Sequence, residues 1–194
     1  MKKRRRYRLG RRAERQADTH RRIVEAAVEL HGSIGPNATT VTAIAERAGV
    51  ERLTVYRHFP DRASLFAACS HHFLTLHPPP DLAAWRGIAD PAERCTTALS
   101  AFYRHYAETE STTANILRDM ATSPEAQRRG PAALQAAIAN DLLAAWRFTG
   151  ARARIARAAI GHALSFYTWR SLVREQGLTN DEAVALMRRL IETS

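Results

Sequence analysis

The sequence predicts an all-α protein, and three observations lead to that prediction. Val, Ile and Thr nowhere alternate with polar residues for long, so strand patterns are nearly absent. Ala, Leu, Arg and Glu recur throughout at spacings of three and four, which is the period of one face of an α-helix. With 45% hydrophobic residues the chain can bury a core. Its apolar stretches fall far short of the about 20 residues that span a membrane, so we expect no membrane partner.

The first part of the chain is predicted to hold four helices, at about 19–31, 41–48, 51–59 and 62–76. The N-terminal caps expected for three of them are Asp18 or Thr19, Thr39 or Thr40, and Asp61. Gly49 ends the second helix and Pro60 closes the third. The run His77-Pro78-Pro79-Pro80 then gives the strongest linker signal in the chain, so we expect the domain boundary there.

Longer helices are predicted beyond the linker, at about 91–108, 113–121, 124–148, 151–176 and 180–192. Gly130-Pro131 should break or kink the third of these. The last one has a clear start signal, because Thr179 and Glu182 have the spacing of a capping box. Two cysteines, Cys69 and Cys95, are too few for a disulfide framework and are expected to be buried thiols.

The net charge of +10 is distributed unevenly along the chain. Residues 1–18 hold nine basic and two acidic side chains and have few apolar residues, which predicts a mobile arm attracted to polyanions. No apolar segment follows the basic start, so we expect a cytoplasmic protein without an export signal. The predicted organisation is an arm over 1–18, a head over 19–76 and a body over 81–194.

Residues 40–59 have the spacing of a helix-turn-helix motif. Ala45 is small where two helices would cross, and Gly49 permits the positive φ that the turn needs. If Val55 points inward, then at 100° per residue Leu53 and Arg57 point outward, with Thr54 and Tyr56 on the flanks. Such side chains can read bases and hold phosphates. The DNA contacts predicted in this way are Thr40, Thr42, Arg52, Leu53, Thr54, Tyr56, Arg57, His58 and Arg62.

Several residue types at fixed offsets carry a family resemblance: Ile23, Ala27 and Leu30; Thr39-Thr40-Val41; Ile44-Ala45; Ala48-Gly49-Val50; Thr54-Val55-Tyr56-Arg57-His58-Phe59; and Leu65-Phe66. In these positions the chain resembles the TetR-like (TetR/AcrR) family of bacterial transcriptional regulators. The resemblance implies a homodimer with a three-helix DNA-binding head and a helical body for small molecules. It also implies a palindromic operator on double-stranded DNA, with repression that an unknown effector relieves.

Three residues depart from the family pattern. Glu51 takes a cap position that is often Ser, Leu53 a position that is often Gly, and His31 one where an aromatic residue is frequent. A carboxylate favours a helix N-terminus but repels phosphate, so we expect Glu51 to be a cap rather than a DNA contact. The departures affect which operator is read.

Two sets of body residues are predicted to bind partners. The first has aromatic and polar residues suited to an effector pocket: Tyr103, Tyr106, Asn115, Met120, Trp146, His162, Phe166 and Trp169. The second forms apolar lines on the last two long helices, suited to a dimer interface: Ile160, Leu164, Tyr167, Val184, Met187, Leu190 and Ile191. For the first set, plain core packing is the alternative, and His162 on an apolar face would then be a core histidine.

Other functional classes are less compatible with the sequence. Paired Glu-x-x-His motifs, a glycine-rich phosphate loop and a G-x-S-x-G elbow are missing, so we expect no enzyme, no metal and no cofactor. A protein that coats nucleic acid non-specifically through the Arg-rich arm remains an alternative. It leaves the order of residues 54–59 unexplained.

Overall fold

The computed structural model describes the backbone of residues 2–121 and 125–194 and the side chains of residues 10–121 and 134–194. Its regular secondary structure in these ranges is helical throughout, as predicted. The chain divides into two compact units. The head unit contains Met1–Pro78 and Ala114–Asp119, and the body unit contains Pro79–Thr113 and Met120–Ser194.

Four helices build most of the head unit: α1 (Lys2–Ser33), α2 (Val41–Ala48), α3 (Arg52–His58) and α4 (Arg62–Leu76). The predicted α2 is confirmed to the residue, and α3 is shorter than predicted by one residue at each end. The core of the unit is formed by apolar residues from all four helices, among them Ile23, Ala27, Ile44, Val55, Phe59, Leu65 and Cys69.

The first helix is much longer than predicted, because it extends back through the basic segment to Lys2. Our expectation of a helix start at Asp18 or Thr19 is therefore wrong, while the mobility of the arm over 1–18 stays a prediction. The physical reason is that Arg, Ala, Glu and Gln are good helix formers, and adding turns to an existing helix avoids the cost of nucleation. Arg21 also pairs with Asp18 and Glu25 along this helix, at 2.5 and 3.3 Å.

The body unit is built from α5 (Ala83–Arg86), α6 (Pro91–Met120), α7 (Glu125–Trp146), α8 (Gly150–Ala163), α9 (Phe166–Arg170), a π-helical turn (Ser171–Glu175) and α10 (Asn180–Glu192). The six residues Ala114–Asp119 of α6 belong to the head unit. Helix α7 continues through Gly130-Pro131, so the break predicted there is not observed.

Two other helix boundaries differ from the prediction for reasons that involve side chains. The predicted helices 91–108 and 113–121 join into α6, which is kinked at Thr109 (φ −116°, ψ 15°). The Thr109 hydroxyl donates to the His105 carbonyl at 2.7 Å, a bond that bends helices. The predicted helix 151–176 instead ends at Ala163. Tyr103 and Tyr106 donate to the carbonyls of Ala163 and Leu164, at 3.0 and 2.7 Å, which satisfies the helix end.

The predicted capping box at the start of α10 is confirmed. The Thr179 amide donates to Glu182 Oε2 at 2.8 Å, and the Glu182 amide donates to Thr179 Oγ1 at 3.2 Å. Cys69 and Cys95 are free and buried as expected, and burial raises the pKa of each thiol to about 12. Within the ranges that the structure describes, no helix is both long and apolar enough to cross a membrane.

Candidate nucleic-acid interface

The turn between α2 and α3 has the geometry that the sequence predicted. Gly49 is left-handed, with φ 62° and ψ 44°, a conformation that glycine adopts without strain. Its amide donates to the Glu46 carbonyl at 3.1 Å, and the Val50 amide donates to the Ala45 carbonyl at 2.9 Å. These bonds close α2 and turn the chain into α3, as in the Schellman type of helix ending.

Helix α3 has one buried side and one exposed side. Val55 is 1% exposed and packs in the head core together with Phe59, the residue that follows the helix. Leu53 is 60% exposed, and Arg52, Tyr56 and Arg57 are also exposed. Thr54 and His58 are half-buried on the flanks. The inward and outward sides of α3 are therefore those predicted from helical geometry, while contact with DNA stays a prediction.

The exposed side of α3 presents cations in two different settings. Arg52 donates to the Tyr56 hydroxyl at 3.3 Å, and its guanidinium lies 5.6 Å from the Tyr56 ring centroid. This pair is one helical turn apart and holds both polar ends on the exposed surface. Arg57 makes no hydrogen bond or ion pair with another residue of the described ranges. Its five donors are therefore oriented by no neighbour and can adapt to a base edge or a phosphate.

Two helix N-termini flank α3. Thr40 is the N-cap of α2, where its hydroxyl accepts from the Ala43 amide at 3.1 Å, and the nearby Thr42 is exposed. Asp61 caps α4 by accepting from the Ser64 amide at 2.7 Å, and this bond lowers the pKa of the Asp61 carboxyl. The neighbouring Arg62 donates to the Pro36 carbonyl at 3.1 Å. Positive helix ends and exposed hydroxyls of this kind bind phosphate groups.

Glu51 occupies the N-cap position of α3, but its carboxylate makes no capping hydrogen bond. The expectation that the side chain caps the helix is therefore wrong, although the position is correct. Because the carboxylate is exposed beside the helix start, its remaining effect is electrostatic.

A histidine pair lies at the end of α3. The ring of His58 is 5.9 Å from that of His20 on α1, and His20 lies 4.7 Å from the Phe59 ring. Partial burial and the neighbouring His20 lower the pKa of His58. His58 is therefore expected to be neutral at pH 7 in the free protein. His20 was not among the predicted residues, because helical spacing alone does not show which residue of α1 meets the end of α3.

A cavity of about 270 Å³ opens in the head unit between α1, α2 and α4. Its lining includes Thr40 and Arg62 together with His31, Asn37, Leu65 and Phe66. The His31 ring lies 6.1 Å from the Phe66 ring. Burial, and next the charge of Arg62, lower the pKa of His31. The departure at His31 thus places a titratable ring where the family pattern favours an aromatic residue.

The α6 residues of the head unit hold the end of α1 and the following loop. Asn115 donates to the Gly32 carbonyl at 2.8 Å, and Arg118 donates to the Ile34 carbonyl at 3.0 Å. Asp119 accepts from the Asn37 amide at 2.7 Å and from Arg118 at 3.0 Å. Orphan carbonyls at a helix end need such donors. Asn115, predicted as a pocket residue, is therefore a structural contact of the head instead.

The other predicted pocket residues lie in the body unit, and most of them pack against one another. Tyr106 contacts Phe166 and Trp169 at ring distances of 5.5 and 5.9 Å. Trp169 also donates to Asn180 at 2.9 Å. Tyr103 is fully buried, Trp146 stacks on Phe148 at 5.4 Å, and Met120 is half-buried. His162 is exposed, 3.3 Å from the Thr168 hydroxyl, so both earlier placements, in a pocket and on an apolar face, are wrong.

Two further features of the body unit bear on ligand binding. An open cavity of about 400 Å³ lies between α7 and α8, with Arg154 and Arg157 in its lining and none of the predicted pocket residues. In addition, Trp85 Nε1, Trp146 Nε1 and Asp141 Oδ2 are buried and have no hydrogen-bond partner in the described ranges. Trp85 extends the aromatic cluster, because its ring lies 6.0 Å from Phe102, which in turn lies 6.0 Å from Tyr106.

Most of the predicted dimer residues are covered by their own chain. The following five are at most 5% exposed: Ile160, Leu164, Val184, Met187 and Ile191. They leave almost no surface for a second subunit, so the structure does not support this part of the prediction. Tyr167 and Leu190 are 55% and 50% exposed, and Ile155 and Leu186, which were not predicted, are also exposed. The helical spacing of apolar residues predicts how wide the apolar face of a helix is. It does not predict which part of that face the neighbouring helices cover.

Residues 23–69 match the family model described as bacterial regulatory proteins, tetR family. An uncharacterized HTH-type transcriptional regulator of Mycobacterium tuberculosis is 45% identical over 53 residues, which are 27% of this chain and 28% of that protein. A homologue of Mycobacterium bovis with the same description matches equally. This chain therefore aligns with less than a third of the length of these relatives.

Solved structures show a likeness over nearly the whole chain. A TetR-like transcriptional regulator from Rhodococcus sp. RHA1 has a TM-score of 0.68 at 20% identity, covering 90% of this chain and 93% of that chain. AibR, in complex with isovaleryl coenzyme A and operator DNA, has a TM-score of 0.62 at 20% identity, covering 88% and 96%. PfmR, a TetR family transcriptional regulator from Thermus thermophilus, has a TM-score of 0.61 at 21% identity, covering 87% and 96%.

Proposed function

We propose that the chain is a TetR-family helix-turn-helix regulator, and that it is a repressor of transcription that binds a palindromic operator and is released by a small-molecule effector. The observation that supports this most directly is that α3 has one buried side and one exposed side. Val55 anchors the helix in the core, while Arg52, Leu53 and Arg57 are exposed at adjacent positions. An α-helix with such a side fits the major groove of B-DNA, where Arg recognises guanine and apolar groups contact the thymine methyl.

The contacts around α3 support two different roles on DNA, namely contact with base edges and contact with phosphates. Arg52, Leu53, Thr54 and Arg57 are proposed to reach base edges from α3. Phosphates are proposed to be bound by Tyr56 and His58 on the same helix and by groups at the flanking helix ends, namely Thr40, Thr42 and Arg62. The Arg52–Tyr56 contact supports this, because it orients the guanidinium before DNA arrives. Phosphate contacts fix the register of the protein and base contacts choose the sequence.

The proposed release by an effector is supported by α6, which supplies residues to both units. Asn115, Arg118 and Asp119 bond the backbone between Gly32 and Asn37, which ends three residues before the cap residue Thr40. A ligand that shifts α6 would therefore change the position of this backbone and with it the N-terminus of α2. Effector and operator would then have opposite effects on each other's affinity.

The body aromatic cluster is the proposed location of the effector. Buried polar atoms without partners are costly unless a bound molecule or water pairs with them, and Trp85 Nε1, whose ring joins this cluster through Phe102, is such an atom. Tyr106, Phe166 and Trp169 supply apolar surface to the same cluster. AibR, which has a similar fold, was solved with isovaleryl coenzyme A and operator DNA. A molecule with an apolar part and a polar group is the class proposed here.

A homodimer is proposed to form through the exposed apolar side chains of the body, namely Tyr167 and Leu190 from the original prediction together with Ile155 and Leu186. Leu186 and Leu190 are one turn apart on α10 and form a continuous apolar stripe. Two heads related by a twofold axis would place two copies of α3 on one side of the DNA. The half-sites would then be separated by whole helical turns of about 34–36 Å.

Selection of bound duplexes from a random-sequence library tests the proposal. We expect the full-length protein to enrich one near-palindrome and to prefer it to a scrambled duplex by at least about a thousandfold. The alternative of a non-specific coating protein predicts no enriched sequence and little preference between the duplexes. Arg57→Ala should relax the selected sequence at one position in each half-site, and an unchanged selection would contradict the role given to α3.

A further inference from the structure

Arg22 makes a contact that neither the core nor the predicted DNA contacts explain. It lies on α1, and its Nη2 donates to the carbonyl oxygens of Ala48 and, at 3.2 Å, of Gly49. Ala48 is the last residue of α2, and Gly49 is the residue that follows it. Since the last carbonyls of a helix have no partner within the helix and carry partial negative charge, a guanidinium is well suited to them.

The position of this contact in the chain gives it a second consequence. Gly49 is the left-handed residue of the turn, and α3 begins three residues later at Arg52. A Cβ atom at Gly49 would lie 2.9 Å from Arg22 Nη2, so the guanidinium occupies the space beside the turn. The contact joins residues 22 and 48–49, and it therefore ties the turn before α3 to α1.

We propose that Arg22 is a positioning residue: it holds the α2–α3 turn against α1 and so sets the orientation of α3 in the major groove, without contacting DNA. This inference rests on the proposed role of α3. The adjacent Arg21 differs in its surroundings, because it pairs with Asp18 and Glu25 on the exposed side of α1. Arg21 therefore provides a control of equal charge, one residue away on the same helix.

The test compares Arg22→Gln, Arg22→Lys and Arg21→Gln with the wild type. Each full-length variant is titrated with the duplex selected by the wild type and with a scrambled duplex of equal length, at several salt concentrations from about 50 to 200 mM. We expect Arg22→Gln to weaken operator binding about tenfold, the effect of one mismatched base pair. Its affinity for the scrambled duplex and its salt dependence should match the wild type.

Arg22→Lys retains a cation that can donate to one of the carbonyls, so it should lose less than Arg22→Gln. Arg21→Gln should change operator affinity less than twofold. Arg22→Gln could instead lose affinity equally on both duplexes, with a slope of log affinity against log salt that is smaller by about one. This result would identify Arg22 as a phosphate contact and overturn the inference. Equal losses in Arg21→Gln and Arg22→Gln would overturn it as well.

Hydrogen exchange of the turn amides gives a readout that does not depend on DNA. The Gly49 and Val50 amides bond to Glu46 and Ala45 in the wild type. They should exchange about tenfold faster in Arg22→Gln and at the wild-type rate in Arg21→Gln. If these two amides exchange at the wild-type rate in Arg22→Gln, Arg22 does not stabilise the turn. If the wild type selects no operator, the proposed function is wrong, while exchange still decides whether Arg22 holds the turn.

Discussion

The contact between Asp119 and the α1–α2 loop leads to a quantitative prediction about stability. Asp119 is 8% exposed, and its Oδ2 accepts from the Asn37 amide at 2.7 Å. Removing a charged acceptor from such a donor costs about 1.5–3 kcal/mol. The second bond, to Arg118, adds little because that side chain is 58% exposed. We therefore expect Asp119→Ala to lower the free energy of unfolding by about 2 kcal/mol.

Urea unfolding of the full-length protein, followed by circular dichroism, measures this loss. Thermal unfolding gives a second measurement. For a chain of this size, each kcal/mol of lost stability lowers the thermal midpoint by about 2–4 °C, so we expect a fall of about 4–8 °C. Asp119→Asn retains an acceptor oxygen and should lose about half as much. Asp18→Ala is the matched control, because Asp18 pairs with Arg21 on an exposed helix face and should cost less than about 0.5 kcal/mol. Equal urea midpoints for Asp119→Ala and Asp18→Ala would contradict the stabilising role given to the Asp119–Asn37 hydrogen bond.

Three further predictions concern pH, assembly and the basic helix. Burial and Arg62 keep the pKa of His31 below its ordinary value of 6.5, so the stability that this residue contributes is present above pH 6.5 and lost as the pH falls below it. The urea midpoint should therefore fall more between about pH 7.5 and 5.5 in the wild type than in His31→Phe, and equal falls would contradict this. Leu190→Glu should shift the protein towards monomers in sedimentation, whereas Leu74→Glu, an equally exposed change on α4, should not. Deleting residues 2–15 should weaken binding to every duplex and flatten its salt dependence, and an unchanged slope would contradict a role for this segment.

Local signals in the sequence predicted the α2–α3 pair well. Thr40 caps α2, Gly49 ends it, and Val55 lies on the buried side of α3. Each of these depends on the geometry of a few neighbouring residues, so the sequence carries the information directly. The capping box at Thr179 was predictable for the same reason.

Contacts between residues distant in the sequence could not be predicted in this way. Asn115 was assigned to a pocket because polar residues on a body helix suit a ligand, yet it bonds the end of α1. Ile160 and Val184 were assigned to an interface because they lie on apolar faces, yet they are covered by the same chain. Periodicity shows that a face is buried but not what buries it. The long α1 was missed because charge density was given more weight than helix propensity.

Gly35 shows how a local signal can encode a distant contact. Its φ of 91° requires glycine for the turn after α1, which is the usual explanation for glycine at such a position. In this structure a Cβ atom would also meet Arg118 Nη2, and it would lie 2.7 Å from Asp119 Oδ2. The same glycine is therefore needed so that the α6 side chains can reach the loop backbone. A residue that ordinary turn chemistry explains thus also permits the contact through which we propose that α6 acts on the head.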